Sequence, residues 1–164
     1  MSTFTIHGGK PLQGVIIPQG AKNEALQVIC AVLLTSSPVT IHNVPDIIDV
    51  QRLIALLKVL GVSVTQPAKG TYCFDPSRLN VADVDTEMLK KLATQLRGSV
   101  MILGPLLARF GKVTIPNPGG DRIGRRRLDT HFAGMHKLGA TCAYDKKEDT
   151  YLVEAKALKG NYIL

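Results

Sequence analysis

The feature that most limits how this chain can fold is that its second half repeats the plan of its first. Val39-Thr40-Ile41 and Asn43 recur as Val113-Thr114-Ile115 and Asn117, an offset of 74, and Leu60-Gly61 recurs as Leu138-Gly139, an offset of 78. "LQGVII" at Leu12 is echoed by "LKGNYIL" at Leu158, 146 positions on and about two periods away. A unit of this kind cannot bury its apolar face alone and must stack on its copy.

The elements follow from periodicity and punctuation. "FTIHG" and "LQGVIIP" read as short strands interrupted by glycine and proline. Ala21 to Leu34 reads as a helix whose second half is apolar on every face, which places it inside the protein. "PVTIHN" is a strand, and Pro45 opens a second helix. Ile47, Val50, Ile54 and Leu57 form its apolar stripe, Leu53 and Leu60 widen it, and Gly61 ends it. "VSVTQ" and "TYCFD" are two strands joined by a "PAKG" turn. The second copy has a helix from about Thr86, the apolar "VMILGPLLA" with a kink expected at Pro105, and the strand "KVTIPN". A glycine-rich loop, a helix from Leu128 to Leu138 closed by Gly139, and the strands "TCAYD" and "TYLVEA" follow.

These elements describe β-α-β-α-β-β repeats, at approximately 12–84 and 85–157, with a third beginning near 158. One wholly apolar and one amphipathic helix per repeat predicts an α/β architecture turned inside out, with buried helices in the middle and sheets outside. A chain stopping on the apolar "NYIL" reads as an excerpt of a longer protein with pseudo-threefold symmetry.

The chain has no tryptophan, so its core is built from Leu, Ile, Val and Ala. Cys30, Cys73 and Cys142 are far apart and lack CxxC spacing, which argues against a disulfide framework or a zinc site. They read as small buried hydrophobes in a reducing cytoplasm, and no metal or cofactor is expected. "MSTFTIHGGKPLQG" lacks the basic start and apolar run of a signal peptide, and the apolar runs are too short to span a bilayer.

The net charge of +7 fits nucleic acid, an anionic membrane or phosphorylated small molecules alike. Three polar islands narrow the choice. "GAKNEAL" places Lys22 and Asn23 at the start of the first buried helix, where a cation and free backbone N–H groups make an anion site. "TQLRGSV" places Arg97 at the corresponding point before the second buried helix, so repeat symmetry brings both to one end of the fold. "PNPGGDRIGRRRLDTH" offers Gly119-Gly120 for close backbone approach and Arg125, Arg126 and Arg127 as planar forks for phosphate, followed by Asp129 and His131 at a helix start.

In this order, "GAKNEAL", "NVPDIIDV", "LRGSVMILGPLLARFG", "PGGDRIGRRRLDTH" and "LGA" resemble the UDP-N-acetylglucosamine 1-carboxyvinyltransferase family, the enolpyruvyl transferases that open peptidoglycan synthesis. The resemblance runs from Phe4 to Leu164. The sister family, 5-enolpyruvylshikimate-3-phosphate synthase, shows a "GDKSISHR"-like segment where this chain has "GAKNEAL". The resemblance implies two domains of three repeats closing on phosphoenolpyruvate and UDP-N-acetylglucosamine. It implies transfer of enolpyruvyl to the sugar 3′-hydroxyl, with phosphate released.

It also assigns Lys22 and Asn23 to phosphoenolpyruvate, Arg97 to substrate, and Arg126, Arg127, Leu128, Asp129 and Thr130 to the uridine end. Asp121 stands where most members carry a cysteine that donates a proton to the methylene carbon of phosphoenolpyruvate, and a minority carry aspartate. A carboxylic acid serves there if it is protonated when the site closes, although it would not form the stable thioether a cysteine can. Arg125 and Arg127 depart from the smaller or apolar residues of many members, so nucleotide contacts are expected to differ in detail. The catalytic base and further arginines lie in a half of the family's proteins that this chain does not contain, and the fragment alone is expected to be inactive.

The alternative is a nucleic-acid-binding module using Arg122 to Arg127. It predicts aromatics interleaved with the cations, whereas none lies between Phe110 and Phe132. Charge gathered in one glycine loop suits a few phosphates better than a long backbone. No membrane partner is expected, and the sequence leaves the oligomeric state open.

Overall fold

The computed structural model describes residues 3–82, 84, 86–120 and 127–163. The first copy begins with helix α1 (Lys22–Ala31), prolonged by a tighter 3-10 turn over Val32–Leu34, then strand β1 (Val39–Ile41) and helix α2 (Ile48–Val59). Strands β2 (Ser63–Ala68) and β3 (Thr71–Asp75) complete it. The second copy has helix α3 (Thr86–Ala93), a 3-10 turn over Arg97–Ile102 running into helix α4 (Leu103–Phe110), and strand β4 (Lys112–Pro116). Helix α5 (Asp129–Lys137) and strands β5 (Thr141–Asp145) and β6 (Thr150–Glu154) follow.

Each copy folds its strands into a three-stranded antiparallel sheet in the same order, β1-β3-β2 and β4-β6-β5. The registers correspond as well. Phe74 of β3 lies opposite Val39 and Val64, and Val153 of β6 lies opposite Val113 and Cys142. Along β3 and β4 buried residues alternate with half-buried or exposed ones, giving those strands a covered and an open face, whereas β5 is exposed throughout.

The core lies between the sheets. Ile29 and Leu33 from the first copy meet Ile102, Leu103, Leu106 and Leu107 from the second, all buried. Val50, Leu53, Ile54 and Leu57 of α2 are buried along the expected stripe, and Gly61 ends the helix at φ +92°. Gly61 has no room for a side chain, because a Cβ there would come within 2.6 Å of the Arg78 carbonyl oxygen. The two apolar segments run side by side in parallel. At the far end Arg109 bridges them, its Nη1 donating to the carbonyls of Leu33 (3.3 Å) and Thr35 (2.7 Å).

Pro105 lies in the first turn of α4, which continues directly from the 3-10 turn of Arg97–Ile102, and the change from 3-10 to α-helix falls between Ile102 and Leu103. Other expectations require correction. "FTIHG", "LQGVIIP" and residues 158–163 form no strand, because no strand among the described residues pairs with them; Lys159 N–H donates instead to the Leu138 carbonyl at 2.9 Å. Phe4, Ile6, Leu12, Val15, Ile16 and Ile17 are correspondingly exposed. Among the described residues each copy therefore reads α-β-α-β-β. The apolar half of the first helix is covered on one side only, with Val28 and Leu34 facing outward. Helix α5 buries no residue fully, although Phe132 and Met135 lean on the core.

The cysteines also divide. Cys30 is buried, Cys73 is half-buried and Cys142 is exposed on edge strand β5. Burial pushes the Cys30 thiol up to about 12. At pH 8 Cys30 is then held as the unreactive thiol. Brief alkylation followed by peptide mass spectrometry is expected to label Cys142 and to spare Cys30 until urea unfolds the chain. No helix among the described residues is long and apolar enough to cross a membrane.

Candidate functional site

The parallel pairing of the two apolar segments brings their starts together. Lys22 and Asn23 open α1, whose flanking Ala21 offers no side chain to cap the first-turn N–H groups. Arg97 opens the other segment, also without a side-chain cap from Leu96. Gly98 lets the two approach closely, since a Cβ there would sit 3.2 Å from Leu26 Cδ1. Between them lies a cavity of about 330 Å³, lined by Lys22, Asn23, Gln27, Asp49, Arg52, Gln95, Arg97 and Gly120 among others. Three cations and one carboxylate thus face the same space, where an anion is favoured.

The glycine loop reaches this cavity because its backbone is drawn against the end of α3. Gly119 N–H donates to the Ala93 carbonyl (3.2 Å) and Gly120 N–H to the Thr94 carbonyl (3.0 Å). Arg97 Nη1 donates to the Pro118 carbonyl (3.4 Å), and Asn117 N–H is held by the Asp149 carbonyl (2.9 Å). A Cβ on Gly119 would lie 1.7 Å from the Thr94 oxygen, and Gly120 has φ +101°. The close approach expected of these glycines is therefore made first to the protein's own backbone.

Of the sequence-derived site residues, Lys22, Asn23 and Arg97 come together in the cavity. Asp121 and Arg126, with Arg122 and Arg125, lie outside the described residues. Arg127, Leu128, Asp129 and Thr130 resume the chain but do not line the cavity. Arg127 pairs with Asp129, the first residue of α5, Thr130 is exposed, and Leu128 is buried in the core. Tyr151 packs against Phe132 of α5, the ring centroids 4.6 Å apart and the planes tilted by 32°. Its phenol is pushed up first by burial and then by Asp149; Arg97 opposes that rise and Asp129 adds to it.

Sequence reading missed Asp49, Arg52 and Gln95. Asp49 accepts from Lys22 Nζ at 3.0 Å and lies 3.8 Å from Arg52 Nη1, which donates to the Gln95 carbonyl at 3.1 Å. The sequence carried little signal for them, since an acid and a base three apart on an amphipathic helix form an ordinary i,i+3 pair. A second and larger cavity of about 680 Å³ opens between α3 and β4. It is walled by apolar residues such as Leu60, Leu89, Leu106 and Ile115 and holds none of the converging cations. Among the described residues no cluster of three metal-ligating side chains occurs.

The fold is that of an enolpyruvyl transferase domain, and the chain belongs to the EPSP synthase (3-phosphoshikimate 1-carboxyvinyltransferase) family, whose model matches residues 6–163. Within it, the chain is 50% identical over all its 164 residues to the UDP-N-acetylglucosamine 1-carboxyvinyltransferase of Bacteroides thetaiotaomicron, spanning 38% of that protein. The enzyme of the same name from Porphyromonas gingivalis is 48% identical over the same 164 residues, again with 38% of its length covered. Among solved structures, the enolpyruvyl transferase NikO from Streptomyces tendae matches 94% of this chain and 33% of its own, with a TM-score of 0.71 at 23% identity. EPSP synthase from Acinetobacter baumannii matches 87% of this chain and 32% of its own, with a TM-score of 0.62 at 14% identity. At those identities the two structures establish the fold, here an α/β arrangement of helices and sheets.

Proposed function

We propose that this chain forms one wall of a site that transfers enolpyruvyl from phosphoenolpyruvate to the 3′-hydroxyl of UDP-N-acetylglucosamine, the step that commits the sugar to peptidoglycan and so to cell-wall growth and division. The supporting observation is that Lys22, Asn23 and Arg97, contributed by two copies of one unit, line a single cavity beside Gly120, the neighbour of Asp121. Lys22 and Asn23 hold the phosphate and carboxylate of phosphoenolpyruvate, and Arg97 holds the substrate from the opposite side. Arg126, Arg127, Leu128, Asp129 and Thr130 receive the uridine end.

The chemistry needs a proton at the methylene carbon while the sugar 3′-hydroxyl gives its own proton to the catalytic base outside this chain and its oxygen bonds to the adjacent carbon. Asp121, protonated in the closed site, supplies that proton; loss of a proton from the same methyl group and departure of phosphate then restore the double bond. The reaction takes place in the cytoplasm, without metal or cofactor. In the whole protein the repeats run near 12–84 and 85–157, with a third starting near 158, and the opposite wall comes from outside this chain.

An amide NMR titration of the chain with each substrate at millimolar concentration tests this. Shifts are expected at Lys22, Asn23, Arg97 and Gly120 for phosphoenolpyruvate, and at 127–130 for the nucleotide sugar. Lys22→Ala is expected to weaken phosphoenolpyruvate binding by roughly tenfold, the loss of one charge-assisted contact. Shifts with short oligonucleotides but not with either substrate would overturn the proposal in favour of nucleic-acid binding. Turnover is read in a full-length protein completed with the remainder of the Bacteroides thetaiotaomicron relative, by phosphate release that depends on the nucleotide sugar.

A further inference from the structure

An acid in a cavity built for anions calls for an explanation. Asp49 is the only carboxylate among the described residues lining it, and by charge alone it repels the ligand. Its two oxygens divide their work. Oδ2 accepts from Lys22 Nζ at 3.0 Å, and Oδ1 faces Arg52 Nη1 at 3.8 Å. Arg52 in turn donates to the Gln95 carbonyl, two residues before Arg97. A line of polar contacts therefore runs from the first cation of one copy, through Asp49 and Arg52 of α2, to the backbone that carries the cation of the other copy.

We propose that Asp49 is a positioning residue that aims Lys22 into the cavity and, through Arg52, fixes the distance between Lys22 and Arg97. The proposal rests on reading the cavity as the phosphoenolpyruvate site. A lysine ammonium has three N–H donors on a flexible stem. With one engaged by Asp49, the directions of the other two are set before a ligand arrives, so less rotamer entropy is lost on binding. Lys22 is half-exposed, with its side chain at 51%, so without Asp49 little else restrains it. The carboxylate thus strengthens binding of an anion that it repels.

The sign of this effect separates positioning from simple charge. Asp49→Asn removes a negative charge at nearly constant shape. Direct electrostatics predicts tighter binding of inorganic phosphate and phosphoenolpyruvate, whereas positioning predicts weaker binding, by about fivefold. In a Lys22→Ala background the same change is expected to cost less than about twofold, because Asp49 acts through Lys22. Asp49→Glu, which keeps the charge, is expected to recover affinity to within about twofold of the unaltered chain. In the ligand-free chain, side-chain relaxation at Lys22 Nζ and Arg52 Nε is expected to show increased motion in Asp49→Asn.

Unchanged or tighter anion binding in Asp49→Asn, or additive losses in the double variant, would overturn the proposal. If the unaltered chain binds neither anion, the functional reading fails by itself. The role of Asp49 is then decided by relaxation alone: unchanged motion at both cations sinks it, and increased motion upholds it.

Discussion

Replacing Gly119 by alanine is expected to detach the glycine loop from the end of α3 and to destabilise the chain by about 2–3 kcal/mol. The new Cβ would sit 1.7 Å from the Thr94 carbonyl oxygen, 2.5 Å from its carbon and 2.8 Å from its Cα. All three are backbone atoms, so no side chain can swing aside. The loop must move, giving up the bonds from Gly119 N–H to Ala93 and from Gly120 N–H to Thr94. Arg97 loses its Pro118 carbonyl partner in the same movement, so anion affinity should fall together with stability. Gly134→Ala is the control. It lies inside α5 with nothing within 4 Å of its Cβ, and alanine there is expected to add up to about 1 kcal/mol. Urea unfolding of both variants, with hydrogen exchange at the Gly120 amide, would decide the matter. A Gly119→Ala chain as stable as the original, with a protected Gly120 amide, would mean the loop is not seated as described.

The second large effect lies in the core. Phe74 is fully buried on β3, between Val39 and Val64 and beside Tyr72 at 6.2 Å between ring centroids. Phe74→Ala removes a whole ring from a close-packed site and is expected to cost about 3–5 kcal/mol. The matching position of the second copy holds Val153, equally buried, where Val→Ala removes two methyl groups and should cost about 2 kcal/mol. The same place in the same fold thus carries different shares of the stability. Urea midpoints at unchanged m-value give both numbers. Equal losses would show that the two sheets are packed less alike than their registers indicate.

The parts of the fold legible in the sequence were those held together locally. The α2 stripe, its stop at Gly61 and the hairpins around "PAKG" and Asp145–Thr150 need only near neighbours, and they stand as read. The apolar segments at residues 4–18 and 158–163 were illegible for the opposite reason. An apolar run states that it must be covered but not by what, and no partner strand meets them here.

The site was half legible. Lys22, Asn23 and Arg97 stood out as polar residues beside apolar helices, and symmetry put them together. Asp49 and Arg52 sit on an ordinary amphipathic helix, where charges on the open face attract no notice. Only the packing of α2 against the first turn of α1 reveals that they face inward to the cavity.

That cavity lies on the seam between two copies of one unit, which ties its existence to their packing. A single copy carries Lys22 and Asn23 or Arg97, never both sets, so neither copy alone encloses it. Whatever loosens the contact between the two buried segments also opens the pocket. The two copies are alike where they pack, as in Val39-Thr40-Ile41 and Val113-Thr114-Ile115, and unlike where they face the cavity, as in "GAKN" and "QLRG".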